Sequence, residues 1–412
     1  MIKLDYSNLF QISVNHGLTE EELLKNSDSI ADFLEKIHAR KQGFCEILDD
    51  EAAAKKIRRF AEDNAGRFQH FVVLGIGGSA LGTICIQQAL THLYKTPKLF
   101  VLDNIDPIML KEIEEVIDQE KTLFIVVTKS GTTPETLAQY FYFRKKAPKE
   151  NFVFVTDPKK GLLREISERE EITTFDLPEN VGGRFSVLTA VGLLPAALLG
   201  IDIYDLLAGA RRSRSQFLSQ NWNENLPFQL AAIQYLLSRK KKNINVLMPY
   251  AQKLIRLADW YKQLLAESIG KTEYIGLTPA SALGATDQHS QLQLFSDGPN
   301  DKLIIFIELE NPKPEIEIPN PEVDFLKGVT FNKLLKTEKH GTEQALTKQD
   351  RPNLTIQIDQ ITPETLGELF MLFEGSIAFL GEFFEIDAFD QPGVELSKKI
   401  TKDLLQASRD SN

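Results

Sequence analysis

The chain reads as an α/β protein built around parallel sheets. Short runs rich in Val, Ile, Leu and Phe alternate with segments of helical periodicity, and the pattern begins again after about residue 204. Continuous apolar runs suit strands buried on both faces, and their alternation with helices implies right-handed βαβ crossovers. A length of 412 residues agrees, being enough for two or three domains of roughly 150.

Residues 1–45 have helical spacing, with Ile30, Phe33, Leu34 and Ile37 recurring on one face and Gly43 as a stop. The first group of strands is Phe71–Gly75, Leu99–Asp103, Thr122–Thr128 and Phe152–Thr156, separated by helices such as Pro107–Ile117 and Pro134–Lys145. The longest apolar stretch, Phe185–Ile201, is interrupted by Ser186, Gly192 and Pro195. It is marginal for crossing a bilayer and reads as a buried helix. The strand Ile244–Met248, the helix Leu254–Ser268 and the strands Leu303–Glu308 and Leu354–Ile358 form the second group. Asn311–Pro321, rich in Pro, Asn and Glu, reads as a surface loop, and Glu395–Ser408 as a terminal helix. The expected division is a helical segment 1–45, α/β domains at 46–204 and 205–385, and a helical tail 386–412.

Composition excludes several classes of function. Apolar residues make up 42% and charged residues 25%, the ordinary globular range rather than that of a disordered or fibrous chain. A net charge of −11 disfavours non-specific binding to a nucleic acid backbone. It also requires any anionic ligand to meet a local cluster of donors. Two cysteines, Cys45 and Cys85, suffice for neither a disulfide framework nor a four-cysteine zinc site, and suit a reducing cytoplasm. Met1–Asn8 carry Asp5 and no apolar core, so no secretion signal is expected. The basic clusters Arg211, Arg212 and Arg214, and Arg239–Lys242, read as solvated helix ends.

Two loops look built for anions. Gly75-Ile76-Gly77-Gly78-Ser79-Ala80 follows a strand and opens a helix, where glycines let a ligand approach the backbone and helix N–H groups attract negative charge. Gly75, Gly77 and Ala80 also satisfy a dinucleotide fingerprint with Asp103 as the ribose partner, so this loop alone is ambiguous. Thr128-Lys129-Ser130-Gly131-Thr132-Thr133 likewise ends a strand and begins a helix, gathering four hydroxyls, a lysine and a glycine. That composition suits a phosphate. A capping box of Thr132 with Glu135 and a first-turn Pro134 would explain one hydroxyl and leave the others and Lys129 without a reason. A second anion loop counts against a dinucleotide.

Two further segments carry proton-transfer candidates. Gln263 and Glu267 are four residues apart on the helix that stops at Gly270, so they share a face. A carboxylate at a helix C-terminus breaks a local rule, and the negative dipole end would raise its pKa toward that of a general base. A surface Glu compensated by Lys271 is the plainer alternative. Asp287-Gln288-His289-Ser290 reads as a cap and first turn, where the dipole would keep His289 neutral. The remaining histidines show no metal spacing. Gly182-Gly183-Arg184-Phe185-Ser186 and Phe389–Lys398 are individually more often structural.

In this order the segments resemble the phosphoglucose isomerase family, at the shorter length of its bacterial members. Thr128–Thr136 is similar to the family's S-K-T-F-T-T-x-E-T loop, with Ser130 for Thr and Gly131 for Phe. Gly182–Val187 matches its glycine-arginine signature. Gln263-x-x-x-Glu267-Ser268-x-Gly270-Lys271 matches Q-x-x-x-E-S-N-G-K with Ile269 for Asn, and Gln288-His289-Ser290 matches Q-H-S before the sequence diverges. Phe389–Lys398 matches F-D-Q-W-G-V-E-L-G-K with Pro392 for Trp and Ser397 for Gly.

The resemblance implies two sugar-isomerase (SIS) domains, each an αβα sandwich around a parallel sheet, and no metal or organic cofactor. It implies conversion of glucose 6-phosphate to fructose 6-phosphate in glycolysis and gluconeogenesis. Gly78, Ser79 and the 128–133 loop would hold the phosphate, and Gln263 would position the sugar. His289 with Lys398 would open the ring. Glu267 would carry a proton between C2 and C1 through a cis-enediol, and Arg184 would stabilise its charge. The family further implies a cytoplasmic homodimer with shared sites, with His289 supplied across the interface, and neither membrane nor nucleic acid as partner. Activity on mannose 6-phosphate, or a non-catalytic phosphosugar-binding role, are the competing expectations.

Overall fold

The computed structural model describes residues 2–94 and 98–410. Among the described residues, ten strands form two five-stranded sheets. The first contains β2 (His70–Leu74), β3 (Leu99–Leu102), β4 (Thr122–Val127), β5 (Phe152–Thr156) and β6 (Thr173–Asp176), ordered β3-β2-β4-β5-β6 and parallel throughout. The second contains β1 (Lys3–Asp5), β7 (Ile244–Pro249), β8 (Thr278–Ser281), β9 (Lys302–Leu309) and β10 (Asn353–Ile358), ordered β1-β10-β9-β7-β8.

The apolar runs behave as two-sided strands. Phe71, Val73, Ile125 and Val153 face one way into a large core that also takes Leu247, Ile305 and Ile356 from the second sheet. Val72, Leu74, Phe124 and Phe154 face the other way, into a smaller core under the outer helices of the first sheet. Val246, Met248, Ile304 and Phe306 do the same on the far side of the second. Strand periodicity of two thus feeds three apolar layers from two sheets. The expected helix within Phe185–Ile201 is Ala190–Leu198, capped by Thr189 and buried as far as Ala196. Among the described residues no helix is long and apolar enough to cross a membrane.

Three strands escaped the sequence pattern, all at sheet edges. β6 and β8 pair on one side only and read Thr-Thr-Phe-Asp and Thr-Pro-Ala-Ser, with no continuous apolar run. Pro279 is tolerated because an edge strand leaves N–H groups unused. β1 corrects the expectation of a wholly helical N-terminal segment: Lys3–Asp5 runs antiparallel along β10. The basic clusters are also not freely solvated. Arg212 pairs with Glu364 and Glu368, Arg214 with Asp49, and the buried Lys242 donates to Asn300. Glu395–Asp410 is helical as expected, and its apolar Leu396, Ile400 and Leu404 stand exposed.

The helix Pro363–Phe383 is buried from Thr365 to its end and contains Glu374, fully buried. No donor among the described residues reaches either of its carboxyl oxygens. Desolvation therefore pushes its pKa well above the ordinary carboxylate value. Because the folded-state value is raised, stability is fullest below the unfolded pKa and is lost as pH rises through the folded one. Glu374→Met is expected to stabilise the fold at neutral pH by about 1–3 kcal/mol. Thermal melts at several pH values check this; the gain should shrink in acid and grow in alkali.

Candidate active site

In an open parallel sheet, ligands bind beyond the strand C-termini where the winding reverses. In the first sheet β2 is followed by β3 on one side and β4 on the other, so the reversal lies between β2 and β4. The loops leaving those two strands are Gly75–Ala80 and Thr128–Thr133. Both candidate anion loops therefore flank the crevice that the topology opens.

The hydroxyls of the second loop converge. Thr128 Oγ1 lies 2.7 Å from Thr133 Oγ1, and Ser130 Oγ lies 3.4 Å from each. Thr132 donates both its N–H and its hydroxyl to Ser130 Oγ. The capping box does not form: Thr133 is the cap residue and its side chain caps nothing, which leaves it with the cluster. Gly131 has φ +65°, and Gly161 lies against it, so a side chain at either would drive the loops apart. Lys129 does not stand over the hydroxyls. Its ammonium donates to the carbonyls of Glu179 (2.7 Å) and Val181 (2.8 Å), and burial lowers its pKa. It ties the loop to the turn that leads into Arg184.

That turn meets the first loop backbone to backbone. A Cβ at Gly78 would lie 2.4 Å from the Gly183 carbonyl oxygen, and one at Gly77 2.9 Å from Gln263 Nε2. The glycines thus bring the loop, the Arg184 turn and the helix Ile255–Ile269 together. Ser79 is half-buried beside them.

Arg184 is the hub, at 5% exposure. Its Nε donates to Ser268 Oγ (2.9 Å), and one terminal nitrogen to Glu267 Oε2 (3.0 Å) and Gln391 Oε1 (2.6 Å). The other donates to the carbonyls of Ala388 (2.9 Å) and Asp390 (3.1 Å). Burial lowers its pKa while Glu267 opposes the shift, and the guanidinium stays charged. The second Glu267 oxygen accepts from Gln263 Nε2 at 3.0 Å, as the four-residue spacing allows. One carboxylate is therefore fixed at both oxygens, with about a third of its side chain open to solvent. Lys271 braces the same place from below, donating to the Glu267 carbonyl (3.1 Å) and to Asp390 Oδ1 (2.8 Å).

Two expected residues stand apart from this network. Lys398 is exposed and pairs with Glu395 at 2.8 Å. His289 is exposed on a turn of the second sheet, at the end of the one-turn helix Thr286–His289. The placement in a first helical turn is corrected: Asp287 caps no helix, and its carboxylate accepts from the Leu283 N–H at 2.7 Å and from the Ser290 hydroxyl. Ser268, Lys271, Asp390 and Gln391 lay within the recognised motifs, but residue type gave no sign that they all converge on Arg184 and its neighbours.

Two sheets, parallel except at β1, with candidate anion loops at a winding reversal and a clamped Arg184–Glu267 pair, fit a protein of the sugar-isomerase class. The family model for phosphoglucose isomerase matches residues 23–298 and 332–412, and the chain belongs to that family. It is 44% identical to the glucose-6-phosphate isomerase of Carboxydothermus hydrogenoformans, over 98% of this chain and 94% of that protein. With the enzyme of the same name from Rubrobacter xylanophilus it shares 39% identity over 97% of each. A solved structure from Thermus thermophilus superposes with a TM-score of 0.90 at 35% identity, over 98% of this chain and 100% of that one.

Proposed function

We propose that the chain interconverts glucose 6-phosphate and fructose 6-phosphate as a cytoplasmic homodimer, without metal or organic cofactor, in glycolysis and gluconeogenesis. The observation that carries the reading is Glu267, held at one oxygen by Gln263 and at the other by the buried Arg184, in a chain whose first sheet also gathers a hydroxyl cluster suited to phosphate at its winding reversal. The phosphate sits at Gly78, Ser79 and the 128–133 loop, which fixes the sugar over Glu267. His289, brought by a second copy and assisted by Lys398, moves a proton from O1 to O5 as the C1–O5 bond breaks. Glu267 then takes the C2 proton and returns it to C1, while Arg184 offsets the charge on the cis-enediol oxygens. Positive charge for that intermediate is thus present in the chain itself. A role confined to binding phosphosugar would give no chemical use to the Glu267 carboxylate, which is clamped at both oxygens yet about a third open to solvent.

Mixing two inactive variants tests both chemistry and assembly. Glu267→Gln and His289→Gln proteins, unfolded and refolded together, are expected to regain about a quarter of wild-type isomerase activity. In a mixed dimer with shared sites, one site carries both substitutions and the other neither. No recovery, with each variant folded and dimeric, would show that His289 serves its own subunit's site.

A further inference from the structure

The turn that carries His289 meets a residue that follows a strand earlier in the chain. Tyr250 directly follows β7 and is 3% exposed. Its hydroxyl donates to Gln288 Oε1, the neighbour of His289, at 2.7 Å. Its ring covers Gly284 so closely that a Cβ there would lie 2.4 Å from two ring carbons. The far edge of the ring packs against Phe306, with centroids 5.9 Å apart. Phe306 in turn lies under Lys339, which is buried and paired with Glu308 and Glu343. Within the turn, the Gln288 N–H donates to the Ala285 carbonyl at 3.0 Å and the Gln291 N–H to that of Asp287 at 2.9 Å. The backbone of the turn thus closes on itself. The turn is tied to the adjoining strands by Gln291, which donates to the Ser281 carbonyl, and by the Gly284 N–H, which donates to the Pro249 carbonyl. Tyr250 adds the one side-chain bond to Gln288 itself, together with its ring against Gly284.

We infer that Tyr250 is a positioning residue for His289, its hydroxyl fixing through Gln288 the direction in which the imidazole is presented to the sugar. The inference rests on the reading of His289 as the ring-opening group. A reacting group misplaced by about an ångström loses up to about 10²-fold in rate, so a hydrogen bond one residue away is enough to matter. Because the ring and hydroxyl make different contacts, they are separable. Tyr250→Phe keeps the cover over Gly284 and removes the hydroxyl, with its bond to Gln288 and its interaction with Thr342.

Ring opening and reclosure exchange the two anomers of glucose 6-phosphate, and this needs no proton transfer at C2. Anomer exchange followed by NMR, in a Glu267→Gln background, therefore reads the His289 step alone. The expected result is exchange above the spontaneous rate, reduced roughly tenfold by Tyr250→Phe, with the melting temperature and the KM for fructose 6-phosphate unchanged. Gln288→Leu should give the same loss, and the double variant no more than either single, since the bond that reaches the His289 turn is absent from all three. Exchange that depends on His289 but ignores Tyr250→Phe overturns the positioning role and leaves the His289 reading standing. Exchange that persists in His289→Gln overturns both. A loss in Tyr250→Phe that tracks a fallen melting temperature makes Tyr250 a packing residue only.

Discussion

Glu267→Gln is expected to lower the isomerisation rate of fructose 6-phosphate by about 10² to 10⁴-fold, the usual cost of removing a general base. The amide has the shape of the carboxylate, so the helix Ile255–Ile269 and its packing against the Gly77 loop should survive. The loss should fall on kcat, because the proposed phosphate loop Thr128–Thr133 is a different segment and is left unchanged. A rate assay with a thermal melt of the same preparation checks this. Undiminished turnover in a folded protein would move the base elsewhere and remove the main support for the proposed function.

Arg184→Lys should cost about 10² to 10³-fold in kcat, on the scale seen for the loss of one preorganised donor to a developing oxyanion. The charge is kept, so the substitution isolates geometry. The guanidinium reaches Glu267, Ser268, Gln391 and two carbonyls of 388–390 from one planar group, and an ammonium has too few donors and no fork. Proteolysis should show a second effect, since the 388–391 segment loses its main anchor and becomes easier to cleave. A variant with full activity and an intact tail would remove Arg184 from both roles.

The buried part of this fold was legible because burial leaves a chemical trace. The central strands β2, β4, β5 and β9 are runs that must satisfy apolar neighbours on both faces, so sequence and structure differ by a residue or so at their ends. β1, β6 and β8 are edges, where water accepts Asp, Thr and Pro, and no such trace remains. The site divides in a similar way. Gln263 and Glu267 are neighbours through helical spacing alone, and the structure brings them together. The misplaced cap at Asp287 shows the opposite: a short polar residue can bond several nearby N–H groups, and tertiary packing decides which. Residue type predicts Lys129 at the anion, but its ammonium reaches Glu179 and Val181, a contact that depends on a turn far along the chain. Tyr250 gave no sequence signal, because a tyrosine after a buried strand is usually core.

The antiparallel pairing of Lys3 with Gln357 has a consequence for how the molecule is made. The chain's opening strand belongs to the sheet that is completed last, so the whole first sheet is synthesised and can fold before β1 has a neighbour. Until β10 emerges, those first residues have nowhere to dock, and until they dock, β10 presents a bare edge of the kind that pairs with other chains. Pairing β1 with β10 is then a closure between strands far apart in the sequence, slow by its contact distance and a point at which a nascent molecule is open to mispairing.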